Sequence, residues 1–162
     1  MFKEERRSRT DAIDISKCRF EIKQSAIDQL KMYSQHEGNE LCGVLTGSQI
    51  GEGCYRISKV SPPCVVNNSR YGCERDASKA NEFIKEDFET SGNTRVYIGE
   101  WHTHPELEPS PSWTDRHSII SNYSTSTLEV PLLIMVIVGT ERIYYNVYNG
   151  RLFVAITPDI IL

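Results

Sequence analysis

The chain has 162 residues, of which 39% are hydrophobic and 25% charged, and its net charge is −4. Such a length suits one domain with a sizeable core, and no basic stripe points to nucleic acid. The longest apolar run, residues 130–138, is too short to span a bilayer, and the charged N-terminus lacks the apolar stretch of a secretion signal. The expectation is therefore a cytoplasmic protein with neither nucleic-acid nor membrane partners. The five cysteines, Cys18, Cys42, Cys54, Cys64 and Cys73, are odd in number and show no C-x-x-C spacing. In that compartment they read as reduced thiols rather than disulfides, and no cysteine zinc site is expected.

Residues 1–12 mix charges of both signs and read as a solvated tail, which leaves 13–162 as a single domain. Residues 18–23 alternate apolar and polar, a strand pattern. Residues 25–39 follow as a helix, with Ser25 as N-cap, Ile27, Leu30 and Tyr33 on one face, and Gly38-Asn39 as the stop. Residues 40–48 and 54–61 are strands joined through Gly51-Glu52-Gly53, a hairpin signal. Residues 62–76 carry Pro62-Pro63, Asn67-Asn68 and Gly72, and read as a long loop of the kind that often serves function. A helix over 78–90 places Ala80, Phe83, Ile84 and Phe88 on one side. Residues 95–104 form a strand, and a helix starts at Ser112. Three strands over 128–138, 142–148 and 151–158 close the chain through tight glycine-containing turns. The order predicts an α/β fold of the α+β type, a mixed sheet with helices packed against it.

One segment concentrates chemistry. Residues 99–118, GEWHTHPELEPSPSWTDRHS, hold three of the four histidines. On a strand, His102 and His104 point the same way and Thr103 points opposite, so both imidazoles can reach one ion at roughly 2.0–2.1 Å. Pro105 ends the strand, two further prolines stiffen the spacer, and Asp115 falls in the first turn of the next helix. Two histidines and a carboxylate with an open fourth position are the pattern of a catalytic zinc site. The same Ser112-x-x-Asp115 also fits a capping box. His117 lies two residues past Asp115, off its helix face, and is left out of the ligand set. Glu100 shares the face of the two histidines, and Trp101 is expected to pack inward.

His102-Thr103-His104-Pro105, a six-residue spacer and Ser112-Trp113-Thr114-Asp115 resemble the JAMM motif of the MPN⁺/JAB zinc metalloprotease family. Upstream, ELCGVLTG resembles that family's E-x-x-G-x-L-x-G, with Glu40 in the glutamate position. The resemblance covers about residues 15–155. It implies the MPN fold, cytidine-deaminase-like, a curled mixed β-sheet flanked by helices. It implies one Zn²⁺ per chain, held by His102, His104, Asp115 and a water. It implies Glu40 as the base that takes the water's proton, and Ser112 as the hydrogen-bond donor to the oxyanion. The implied reaction is hydrolysis of the peptide or isopeptide bond at the C-terminus of a ubiquitin-like protein.

A narrower resemblance is to the stand-alone bacterial JAB deconjugases of CBASS antiviral operons. Their implied substrate is a conjugate of a CD-NTase, made by E1-like and E2-like enzymes encoded nearby. A substrate tail would add as a strand near the zinc, framed by the loops around Tyr71 and Leu107. The same residues also suit a metallohydrolase of a small amide or sulfur-carrier substrate, and the family includes non-catalytic scaffolds.

Overall fold

The structure, a computed structural model, describes residues 12–35 and 37–162. The expected tail lies outside the described residues except for its last position. A 3₁₀ turn at Ile15–Lys17 leads into β1 (Arg19–Lys23), α1 (Gln24–Met32), β2 (Cys42–Gly51) and β3 (Cys54–Val60). Next come β4 (Val65–Ser69), β5 (Gly72–Arg75), α2 (Ala77–Thr90), β6 (Val96–Thr103) and α3 (Trp113–Thr125). The chain continues through β7 (Leu133–Val138), β8 (Ile143–Tyr148), β9 (Phe153–Ala155) and β10 (Asp159–Ile161).

Eight strands form one mixed sheet in the order β10-β1-β3-β2-β6-β7-β8-β9. β2 and β3 pair antiparallel through the glycine turn, where Gly53 takes a φ of 65° that a side chain would resist. β6 and β7 run parallel, so the chain must cross over between them, and α3 lies in that crossover. β7, the sequence LIMVIV, is buried at every position because elements pack on both faces of the sheet. One face packs α1 through Ile27 and Leu30 against Leu45, Ile57 and Trp101. The other packs Ala80, Phe83 and Ile84 of α2 and Ile119 of α3 against Val44, Met135 and Ile137.

Gly43 is required where Trp101 crosses beneath β2. A Cβ there would sit 2.5 Å from the indole Nε1 and 2.8 Å from its ring carbon. The buried indole stacks on Tyr33, with ring centroids 4.9 Å apart, as the inward packing of Trp101 required.

Several expectations change. Ser25 is not a cap: β1 runs directly into α1, Lys23 occupies the cap position, and no side chain bonds the helix start. The helix stops at Met32 rather than near Gly38: the Tyr33 N–H closes the last turn on Leu30 O at 3.0 Å, and the Tyr33 ring packs against Trp101. Residues 62–76 are no irregular loop. Within them β4 and β5 pair as a separate two-stranded hairpin. β10 lay beyond the last expected strand; it pairs parallel with β1 at the sheet edge.

The reduced-thiol expectation is also corrected. Cys42 on β2 and Cys73 on β5 form a disulfide, with Cα atoms 6.1 Å apart, inside the range such a bond needs. Thirty-one positions separate them, so only the folding-back of the hairpin onto β2 brings them together.

α2 is fixed by a buried charge. Asp87 accepts hydrogen bonds from Thr46 Oγ1 (2.7 Å) and from Arg95 Nε (2.9 Å) and Nη2 (2.6 Å), and Lys59 Nζ lies 3.6 Å away. Burial alone would raise the carboxyl's pKa, but these bonds and charges outweigh it and leave it lowered. Replacing Asp87 with Ala strands Arg95 and should cost about 3–5 kcal/mol in urea unfolding at neutral pH. A depressed folded pKa stabilises above the unfolded value of about 3.9 and loses that stabilisation as pH falls through the folded value. The gap between wild type and Asp87→Ala should therefore be constant above about pH 5 and narrow below pH 4.

Candidate metal centre and groove

The end of β6 and the start of α3 build the cluster. His102 and His104 leave the strand on one face, while Thr103 turns inward and its Oγ1 accepts the Leu41 N–H at 2.9 Å. The backbone of His104 is held by Val138 O at 3.0 Å, which keeps the second imidazole in line after the strand ends. Asp115 arrives at the third position of α3. Its Oδ1 is 3.2 Å from His102 Nε2, and its Oδ2 is 3.3 Å from His104 Nε2. One ligand atom from each of these three residues falls within 4.8 Å of the others. This is the carboxyl end of a strand in a parallel pair facing a helix N-terminus, the usual place for a site in α/β folds.

These donors fit a metal. His102 Nε2 is buried, faces a carboxylate, and yet forms no hydrogen bond. A buried imidazole nitrogen left without a bond is costly unless something else meets it. Two imidazoles and a carboxylate are suitable donors for zinc.

Glu40 joins from the segment just before β2. Its Oε1 lies 3.5 Å from His104 Nε2. Ser69 O accepts the Glu40 N–H at 2.8 Å, and Asn68 Nδ2 donates to Glu40 O at 2.7 Å, so the β4–β5 hairpin helps to set the Glu40 backbone. Burial pushes the Glu40 carboxyl above its ordinary value, with His104 and His102 pulling the other way. Asp115 moves oppositely. Burial would raise it, but the adjacent His102 and His104 and the hydrogen bond from the Ser112 N–H hold it far below the usual carboxylate range.

Ser112 is the N-cap of α3 in a full capping box. Its Oγ accepts the Asp115 N–H at 3.1 Å, and its own N–H donates to Asp115 Oδ2 at 2.8 Å. The cap uses the hydroxyl only as an acceptor, so its hydrogen remains to donate. His117 stands apart from the cluster and stacks on Trp113, with centroids 5.1 Å apart.

A groove of about 360 Å³ runs from this cluster between β5 and α3. Glu40, Cys73, Arg75, His102, Asp115 and Asn122 all line it. Tyr71, 84% exposed at the hairpin tip, and Leu107, 60% exposed in the spacer, stand outside its lining. At the far end lies a buried polar network. Leu45 pairs with Gly99 and Thr46 with Tyr97, which leaves Ile98 as a bulge and turns Tyr97 toward the Glu100 side. Tyr97 Oη donates to Glu100 Oε1 at 2.5 Å, Asn122 Nδ2 donates to the same oxygen at 3.1 Å, and Arg75 Nη1 lies 3.2 Å from it. Burial pushes Glu100 up to about 7, against the pull of Arg75 and the bond from Tyr97. Glu100 thus shares the histidines' face, as expected, but its partners are Arg75, Tyr97 and Asn122.

Sequence reasoning missed Cys42, Cys73, Arg75 and Asn122 as groove residues. Cys42 carried one faint signal, being two residues after Glu40 at the start of the strand. The other three become neighbours only in the fold.

A mixed sheet with helices on both faces and a His-x-His pair facing a helix-borne aspartate define a JAB-type domain. The family model for prokaryotic homologues of the JAB domain matches residues 23–153, and the chain belongs to that family. A CD-NTase/cGAS isopeptidase of Vibrio cholerae is 36% identical over 107 residues, 65% of this chain and 69% of that protein. One of the same description from Escherichia coli is 31% identical over 126 residues, covering 76% and 78%. A probable metalloprotease of Sinorhizobium fredii is 32% identical over 72 residues, 43% of this chain and 44% of that one. A Desulfitobacterium hafniense protein with a solution structure shares the fold at a TM-score of 0.58 and 16% identity, covering 88% of this chain and 91% of that one.

The disulfide has a direct check. Alkylation of the denatured, unreduced chain should label three thiols, those of Cys18, Cys54 and Cys64, and prior reduction should raise the count by the two from Cys42 and Cys73.

Proposed function

We propose that the chain is a zinc-dependent isopeptidase of bacterial antiphage (CBASS) conjugation. It would hydrolyse the bond between the C-terminus of a CD-NTase-type or ubiquitin-like protein and its target. The observation that carries this reading is the convergence of His102, His104 and Asp115 beside Glu40. The names of the Vibrio cholerae and Escherichia coli relatives support the CD-NTase as the conjugated protein. E1-like and E2-like enzymes would be the source of the conjugate.

His102, His104 and Asp115 would hold one zinc. When bound, zinc polarises the carbonyl under attack and lowers the pKa of water to about 7. Glu40, a carboxylate whose pKa burial raises, suits the role of proton carrier: it takes the proton of the attacking water and delivers it to the leaving amine. The free hydroxyl hydrogen of Ser112 donates to the oxygen on which negative charge develops. The capping box keeps that hydroxyl in place without consuming its hydrogen.

The groove favours an extended chain over a small amide. In the two-stranded β4–β5 sheet, β5 has one edge that no strand pairs among the described residues, and β5 lines the groove. A substrate tail can add there by main-chain hydrogen bonding.

Glu40→Ala should retain about one zinc per chain by elemental analysis. It should lose roughly 10²–10⁴-fold in cleavage of a CD-NTase conjugate followed by mass spectrometry. Chelation should abolish cleavage by the wild type, and added zinc should restore it. Unchanged turnover in Glu40→Ala would refute the assignment of the base.

A further inference from the structure

We infer that Arg75 is a positioning residue: anchored by Glu100 and Asn122, it fixes the width of the groove where the acyl tail of the substrate lies. This rests on the isopeptidase reading and adds a subsite to it.

Arg75 ends β5, yet its guanidinium is held by two other elements. Nη1 lies 3.2 Å from Glu100 Oε1 on β6, and Nη2 donates to Asn122 Oδ1 on α3 at 3.3 Å. Asn122 and Glu100 are themselves joined by a hydrogen bond. The guanidinium is therefore a crosspiece from one wall of the groove, the hairpin, to the other, α3. A planar fork with several donors can make both contacts at once, which an ammonium on a flexible stem does less well. The opposite end of the hairpin is tied differently, by the Cys42–Cys73 bond and by the Glu40–Ser69 backbone bond. With both ends held, the free edge of β5 keeps a set distance from α3.

The position of this crosspiece defines a subsite. Asn122 lies seven residues beyond Asp115 on α3, about 10 Å along the helix. Glu100 lies two residues before His102 on β6, about 7 Å along the strand. At about 3.3 Å per residue of extended chain, Arg75 stands two to three residues from the bond to be cut. In an isopeptide, the leaving side is a lysine side chain, which has no backbone to pair with β5. The segment that reaches Arg75 is thus the acyl tail. A single acyl residue ends short of it.

The test uses two synthetic isopeptides on the ε-amine of an acetyl-lysine amide. One carries glycine as its acyl group; the other carries the last six residues of a CD-NTase. Binding of the six-residue probe is measured calorimetrically on zinc-loaded Glu40→Ala chain, with and without Arg75→Ala. We expect Arg75→Ala to weaken binding about tenfold, and Arg75→Lys, which keeps the charge facing Glu100, to recover part of it. In the chain with Glu40 intact, Arg75→Ala should raise KM for the six-residue probe about tenfold while kcat changes less than twofold. The glycyl probe should show no comparable rise in KM. Zinc content and thermal unfolding of each variant separate this effect from loss of fold.

Equal losses on both probes, a fall confined to kcat, or unchanged binding would overturn the role of Arg75. So would failure of the six-residue probe to bind at all. If the probe binds in an Arg75-dependent way but wild type cleaves neither probe nor conjugate, the isopeptidase reading fails while the subsite stands. If Arg75→Ala does not fold, Arg75→Lys and Asn122→Ala carry the same comparison, each expected to weaken the six-residue probe selectively.

Discussion

Asp115 is the point on which the site depends. Its carboxylate sits between two imidazoles and also accepts the Ser112 N–H, so one side chain joins the strand end, the helix start and the cap. Burying an anion there is costly unless positive charge meets it. Burial would lower the pKa of His104, but Asp115 and Glu40 outweigh it and hold that imidazole above its ordinary value. A dication held by His102, His104 and Asp115 would meet the same demand with greater charge. The electrostatic frame for a metal is therefore built into the placement of β6 against α3.

Around that frame the fold adds walls. The β4–β5 hairpin is attached at both of its ends, covalently to β2 through Cys42–Cys73, and through Arg75 by charge to β6 and by a hydrogen bond to α3. Each tether meets a different strand level. Cys42 pairs with His102 in the sheet, and Val44 pairs with Glu100 two residues along. The hairpin thus climbs alongside the groove from the metal cluster to the buried glutamate. A wall held at two levels is pre-ordered, which lowers the entropy that an extended ligand must offset on binding.

Much of the site was legible as a pattern. His102, His104 and Asp115 converge as their spacing required, because a strand places alternate residues on one face and the six-residue spacer is short enough to return the chain to the same edge. His117 stays outside the cluster for the helical reason that excluded it. The serine–aspartate pair posed two readings, cap or chemistry, and the geometry lets one hydroxyl serve both. The poorly patterned stretch at 62–76 was the main misreading. Its strands are short and mostly polar because they pair only with each other, so neither alternation nor an apolar run marked them.

By itself the sequence determined the element order apart from β4, β5 and β10, and the three residues that meet at the candidate metal centre. Those depend on local periodicity and short spacing, which residue order encodes directly; Glu40, more than sixty positions upstream, was marked only by the resemblance of ELCGVLTG to a family motif. Only the tertiary structure decided that Cys42 meets Cys73, that Arg75 reaches Glu100 and Asn122, and that the last strand returns to pair with β1. The members of each of those contacts lie 25 or more positions apart. No local pattern records such pairings; they arise when the sheet order, the bulge at Ile98 and the folding-back of one hairpin bring distant side chains into a common space.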